Sequence, residues 1–551
     1  MTINLFTSFK QEINCYKLPE KFTFPFYYQP HPLSLLAAKE LQYHLKTQTD
    51  WQHDFNHIGK MFGVLLVQNK HGELGYLAGF SGKIADKNHL PNFVPPVFDM
   101  LAEDGFFIQG QKKLKPLSTQ IMALENNPDF IERQQNLADE ITQSQQQVDV
   151  HRQVMIEGRR TRKIKRNEAE QTLAHDDFLQ IKQQLSQQSI QHKNQLRDLN
   201  KYWAIRIQKA KQQFQALNDE ITDLKEQRKN ISSNLQQTLF EHYRFLNSQG
   251  ESKNLIDIFK ETDQKVPPAA AGECAAPKLL NYAFQNQLKP IAMAEFWWGA
   301  SPKSAIRQHK NFYAACKGKC QPILGHMLAG MELDEDPLLI NPAEGKTLDT
   351  VYQDEVMLVI NKPAEFLSVP GKNIQDSVYQ RIKQAYPDAT GPLIVHRLDM
   401  STSGLMVIAL NKEAHKNLQK QFIMRTVQKR YIALLEGDLK GDSGTIDLPI
   451  RVDLDDRPRQ LVCYEHGKAA KTNWQVIERK DNRTKVYFQP ITGRTHQLRV
   501  HSAHITGLNT PIVGDDLYGK KAQRLHLHAE TLQITHPMTK KLMKFQINAD
   551  F

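Results

Sequence analysis

The 551-residue chain is predicted to be an α+β protein made of three pieces. A strand-rich C-terminal domain (337–551) follows an N-terminal α/β domain. A long antiparallel helical hairpin (125–247) interrupts that N-terminal domain, splitting it into 1–124 and 248–336. Three observations predict this. From 125 to 247 Gln, Lys, Glu and Arg dominate, and no proline occurs between Pro128 and Pro267. After the acidic link Glu332-Leu333-Asp334-Glu335-Asp336-Pro337, short apolar runs alternate with Gly, Pro and Asn turns, which is a strand pattern. Before the helical stretch, two β-rich runs flank a polar turn.

Those two runs are Met61–Gln68 and Leu74–Gly79. The turn Asn69-Lys70-His71-Gly72-Glu73 between them completes a hairpin signature. The Pro-broken segment Pro91–Phe98 reads as a loop. In the helical stretch, Ile207, Ala210, Phe214, Leu217, Ile221, Leu224, Arg228, Ile231 and Leu235 alternate spacings of three and four, a heptad seam expected to form a coiled coil. The earlier half is weaker, with Ile141, Val148 and Met155 seven apart. If the flanking segments belong to one domain, the insertion starts and ends at nearby points, which favours a hairpin. The rival is self-association through a parallel coil. Gly158–Arg166 packs six cations into nine residues, either a solvated helix face or a phosphate-contacting patch.

The bulk numbers narrow the class. At 40% hydrophobic and 24% charged, the composition is that of a globular protein rather than a disordered or membrane one. No run of 18 apolar residues and no N-terminal signal pattern is present. Five cysteines without framework spacing point to a reducing, cytoplasmic setting. A net charge of +11 favours a polyanionic partner. Neither a membrane nor DNA is expected in that role.

In the C-terminal domain, Val356–Ile360 is a buried-strand run ending at Asn361-Lys362-Pro363. Leu367-Ser368-Val369-Pro370-Gly371-Lys372 is a Pro-Gly turn. Leu393-Ile394-Val395 leads into His396-Arg397-Leu398-Asp399-Met400-Ser401-Thr402-Ser403-Gly404, and Leu405–Leu410 leads out. That reads as strand, tight loop, strand, with one carboxylate held at the loop, where catalytic groups concentrate. Taken alone, Asp399 is better explained as a turn residue paired to Arg397. Lys429–Leu435 follows as a strand carrying Tyr431. Then come Gly493-Arg494-Thr495-His496-Gln497-Leu498-Arg499-Val500-His501, Pro511-Ile512-Val513-Gly514-Asp515 and Arg524-Leu525-His526-Leu527-His528-Ala529.

This ordered set, from about 345 to 551, resembles the RluA family of pseudouridine synthases. The resemblance implies a mixed, mostly antiparallel sheet and cofactor-free isomerisation of uridine to pseudouridine in RNA, with 23S rRNA and the tRNA anticodon stem-loop as partners. It implies Asp399 as the essential carboxylate, Tyr431 as the residue that stacks on the base, and Arg499 as the partner of Asp399. Leu527 becomes the apolar floor, and Arg397 a finger that fills the stack vacated by a flipped uridine. His396 and Arg494 complete the substrate-binding set, His396 packing or contacting backbone. A non-catalytic RNA-binding assembly factor on the same fold is the alternative.

The N-terminal 340 residues depart from that family. They faintly resemble the zinc-dependent deaminase fold, which implies Cys274, Cys316 and Cys320 as ligands. The active pattern of that fold needs Glu where Ala276 stands, and the second cysteine pair is spaced C-x3-C. Deaminase activity is therefore not expected, and no metal is assigned. The three cysteines are weak candidates for a structural zinc, against the alternative of three buried free thiols. The histidines His496, His501, His504, His526 and His528 are explained by the motifs rather than by a metal.

Overall fold

The computed structural model describes residues 5–337, 339–454 and 456–551. Two compact units emerge: Met1–Asp99 with Phe240–Phe551, and Met100–Leu239. The first unit opens with β1 (Thr7–Ser8), α1 (Pro32–Thr47), β2 (Lys60–Gln68) and β3 (Leu74–Phe80). The hairpin read from the sequence is β2–β3, paired from Phe62↔Phe80 to Gln68↔Leu74.

The second unit is helical: α2 (Phe106–Glu125), α3 (Pro128–Thr172) and most of α4 (His175–His242). Asn127 caps α3 by accepting from the Asp129 amide, with Pro128 in the first turn, a favourable start. Leu173 is extended, and the chain reverses there. Arg133 Nη1 donates to the Gln213 carbonyl at 3.1 Å, and Arg206 Nε to Glu140 Oε2 at 2.8 Å. Trp203 Nε1 donates to Gln147 Oε1 at 3.3 Å. Numbers rise on one helix as they fall on the other, so α3 and α4 run antiparallel. Phe214, Leu217, Ile221 and Leu224 of the heptad seam pack with Ile121 and Phe130.

Back in the first unit come β4 (Arg244–Leu246), β5 (Ser252–Asn254), α5 (Leu255–Lys260), α6 (Ala275–Gln285), β6 (Lys289–Trp298) and α7 (Cys320–Met327). A four-stranded sheet runs β1-β3-β2-β6. Ala37, Ala38, Leu41 and Leu45 of α1 share a core with Phe62, Phe80 and Phe296. Leu279 of α6 lies close against Gly63 and Gly79.

The remainder is β7 (Asp349–Gln353), β8 (Met357–Lys362), α8 (Val378–Ala385), β9 (Ser403–Ala409), α9 (Lys412–Ile423) and β10 (Gln428–Glu436). It continues with β11 (Ser443–Asp447), β12 (Ile450–Val452), β13 (Gln460–Val462), β14 (Lys471–Lys480) and β15 (Arg483–Pro490). It ends with α10 (Gln497–Ala503), β16 (Leu527–Thr535) and β17 (Leu542–Gln546). Nine strands form one sheet, β11-β14-β15-β10-β16-β9-β8-β7, with β17 also on β16. Every pairing in it is antiparallel except β9 with β16. All seven residues of β9 are buried, as suits a strand covered on both faces.

One expectation needs correcting. Leu393–Val395 is not a strand. Leu393 is left-handed at φ 61°, which breaks the extended run, and only Ile394 bridges Ile408. The apolar character of Leu393 is spent on the core instead. The segment after β6 is joined to the large-sheet region: Asn311 Nδ2 donates to the Gly519 carbonyl at 3.1 Å and Arg307 Nη2 to Asp456 Oδ2 at 3.1 Å. No helix among the described residues is long and apolar enough to cross a membrane.

Candidate active site

The loop His396–Thr402 enters β9 at the one place where the sheet turns parallel. Ser403 pairs with His528 and Gly404 with Ala529. Gly404 has φ +114°, and a Cβ there would lie 2.4 Å from the Ala529 carbonyl oxygen. The close approach of β9 to β16 therefore requires glycine. Ser403 Oγ sits 2.8 Å from His528 Nδ1 and accepts from Arg524 Nη2 at 2.6 Å. The end of the loop is fixed at the same time.

Two earlier motifs pin the loop from below. Lys362 is fully buried, and its Nζ donates to the carbonyls of Pro363, Phe366 and Met400 at 2.9, 2.8 and 3.1 Å. Burial pushes the Lys362 ammonium down to about 7, with the charges of Glu365 and Asp399 opposing. Ser368 Oγ donates to the Leu398 carbonyl at 2.6 Å and accepts from the Leu398 amide at 3.1 Å. The Phe366 amide donates to the Met400 carbonyl, and the Thr402 amide to that of Asp399. Asp399 is thus held between residues anchored by their own main chain. The Asn-Lys-Pro and Leu-Ser-Val-Pro stretches act as supports for the carboxylate.

Above the loop lies a pocket of about 510 Å³ lined by Asp399, Tyr431, Arg499, Leu527, His396, Arg397 and Arg494, among others. All seven site residues read from the sequence border it. Tyr431 stands on β10 at a register shift against β16, the kind of bulge that re-aims a side chain. Burial, reinforced by the Asp399 charge, raises the phenol above its ordinary range, so Tyr431 is neutral. Leu527 is buried on β16. His396 accepts the Val407 amide on Nε2 at 3.1 Å and stacks on Phe422 at 4.6 Å. Burial first, then the Lys429 charge, lowers it to about 3. Arg397 is exposed. Arg494 Nε donates to the Ala469 carbonyl at 3.0 Å.

Arg499 departs from its expected pairing. Its hydrogen bonds go to Asp515, Nε to Oδ2 at 2.9 Å and Nη2 to Oδ1 at 2.6 Å, and to Asp516 Oδ1 at 2.9 Å. Burial works against its charge, yet the charge and hydrogen bonds of Asp515 hold it protonated, with Asp516 and then Asp399 adding to the effect. The action of Arg499 on Asp399 is therefore through space. A guanidinium with three donors turned to two other carboxylates has little fork geometry left for a third. His496, at the N-cap of α10, is left-handed at φ 55°, and its Nδ1 lies 2.8 Å from the Tyr518 hydroxyl.

Sequence reasoning missed several neighbours. Asp515 stands in a stretch already singled out, but nothing in one sequence shows that its charge faces Arg499. Lys429 lines the pocket, and burial lowers its ammonium. Tyr27, from far upstream, donates its hydroxyl to Asp516 Oδ2 at 3.3 Å, beyond the reach of any local motif. Outside the pocket, Cys274, Cys316 and Cys320 are brought together, their sulfurs all within 4.8 Å of one another. The other motif histidines satisfy local hydrogen bonds: His501 with Thr472 and the Leu448 carbonyl, His504 with Thr506 and the Lys303 carbonyl, His528 with Ser403 and the Ile547 carbonyl.

Comparison with known proteins gives the family of the chain. Residues 356–504 match the family model described as RNA pseudouridylate synthase. The dual-specificity RNA pseudouridine synthases RluA of Salmonella typhi and Escherichia coli strain K12 are each 46% identical over 219 residues, 38% of this chain and 97% of theirs. The Haemophilus ducreyi protein of that name is 46% identical over 222 residues, with the same coverage. Among solved structures, human RNA pseudouridylate synthase domain containing 1 is 30% identical over 38% of this chain and 87% of its own, with a TM-score of 0.33.

Proposed function

Because the chain belongs to the RluA-type RNA pseudouridine synthases, and is thus an RNA isomerase, we propose that the Asp399 pocket isomerises selected uridines of structured RNA with Asp399 as the catalytic carboxylate. The observation that carries this is the convergence of Asp399, Tyr431, Arg499 and Leu527 from four separate elements on one pocket. A uridine inside a stem-loop is out of reach, so it is extruded into the pocket. Its ring rests on Leu527 and stacks on Tyr431. Exposed Arg397 fills the space it leaves or holds a phosphate.

Asp399 acts as nucleophile or base at the ribose or the uracil. The N1–C1′ bond breaks, the uracil turns over, and C5 bonds C1′. The proton on C5 leaves and N1 gains one, so no atom is lost and no cofactor is needed. Arg499, fixed by Asp515 and Asp516, borders the same pocket as Asp399, and the two charges act on each other through space. Neutral Tyr431 is a hydrogen-bond donor to the base during this exchange. Arg494 and Lys429 supply positive charge at the rim for the RNA backbone.

The relatives are named dual-specificity RNA enzymes, and the substrates proposed here are 23S rRNA and the tRNA anticodon stem-loop. Pseudouridine mapping of total RNA from a strain lacking the gene tests this. Loss of sites in either RNA, restored by the intact gene, is expected. A strain with an unchanged map would overturn the assignment of substrates.

A further inference from the structure

A cluster far from the isomerase loop has its own chemistry. Cys274 is the N-cap of the 11-residue α6 and makes no side-chain cap bond. Cys320 is the first residue of α7, and Cys316 lies four residues before it. Their sulfurs form a triangle with every edge within 4.8 Å, and Cys316 and Cys320 are 3.4 Å apart. Among the described residues this is the one group of three or more His, Cys, Asp or Glu side chains with metal-binding proximity. Tetrahedral zinc with Zn–S bonds of about 2.3 Å sets sulfurs about 3.8 Å apart, so the triangle needs only small side-chain movements to hold an ion.

We propose that Cys274, Cys316 and Cys320 bind one divalent ion of the zinc class as thiolates, stapling α6 to α7 through the loop between β6 and α7. Binding releases the three thiol protons to solvent and changes no oxidation state. Soft sulfur donors select zinc over the harder divalent cations. Three thiolates and one divalent ion leave a net negative charge. The helix N-termini at Cys274 and Cys320 favour that charge, and Lys317 and Lys319 stand in the same Cys-Lys-Gly-Lys-Cys run. The fourth position falls to a water, with the Glu295 carboxylate near enough to accept from it. This carboxylate is buried on β6, is close enough for its charge to act on Cys274 and Cys316, and takes the Ala276 amide at 3.2 Å. The site is separate from the uridine pocket, so its fate and that of the isomerase assignment are independent.

The test uses the untagged full-length chain purified without chelator. One zinc per chain by elemental analysis is expected, lost in Cys274→Ser, Cys316→Ser and Cys320→Ser. Two wild-type measurements guard against variants that fail to fold. Counting reactive thiols before and after a strong chelator should add three to those of Cys15 and Cys463. Cobalt(II) added to the chelated protein should produce sulfur-to-cobalt charge-transfer absorption. A zinc-free wild-type chain with no cobalt band, or a Cys316–Cys320 disulfide by mass spectrometry, would overturn the proposal.

Discussion

At the scale of single residues, buried charge is what the site must manage. Arg499 and Asp515 are both almost fully buried. Removing the Asp515 charge leaves buried Arg499 with only the less buried Asp516 as its partner, which costs up to about 3 kcal/mol. Asp515→Asn is therefore expected to lower stability by about that amount in urea unfolding; an unchanged midpoint would count against the pairing. His396 gives a different signature. Its folded value is depressed to about 3, so between pH 3 and 6.5 the unfolded chain binds the proton that the folded chain refuses. Stability then rises with pH across that window and is lost in acid, at up to roughly 1.4 kcal/mol per pH unit for this histidine. His396→Gln should flatten the dependence of the urea midpoint between pH 6 and 4 relative to wild type. Parallel curves would show that His396 is not the titrating group.

Among the elements, the β9–β16 junction is the structural demand most specific to the site. Gly404→Ala meets both a positive φ and main chain at 2.4 Å. A loss of at least about 2 kcal/mol is expected, with isomerase activity falling in the fraction that remains folded. A fully stable and active variant would contradict the junction's role. How much was legible follows from distance along the chain. The β2–β3 hairpin and the apolar seam of α4 are local patterns, readable from spacing alone. The acidic loop was readable because its motifs are contiguous. The parallel pairing of Gly404 with Ala529 joins positions more than a hundred residues apart, and the Asp515 and Asp516 grip on Arg499 depends on how α10 packs. Neither has a local signature. Leu393–Val395 misled because an apolar triplet reads the same whether it extends as a strand or turns into the core.

For the whole molecule, charge and the helical unit raise the larger question. Phe98 contacts His242 and Tyr243 with ring centroids 5.2 and 5.8 Å apart, so the points where the chain leaves and re-enters the first unit are adjacent. Replacing 100–239 with a short glycine linker should therefore leave a folded isomerase. We propose that the basic Arg159–Arg166 face contributes phosphate contacts. Deletion should then weaken binding to long RNA and reduce its salt slope, while modification of a minimal stem-loop persists. An unchanged slope would assign that face to solvent, and loss of a dimer would assign the helices to assembly.

We propose that one carboxylate, Asp399, in a loop held by Lys362 and Ser368, performs the isomerisation. Asp399→Asn keeps the shape of the side chain and removes its charge. Single-turnover pseudouridine formation on a bound stem-loop should fall by at least about a thousandfold, roughly 4 kcal/mol of barrier, with RNA affinity nearly unchanged. An Asp399→Asn enzyme that forms pseudouridine at the wild-type rate would contradict the account.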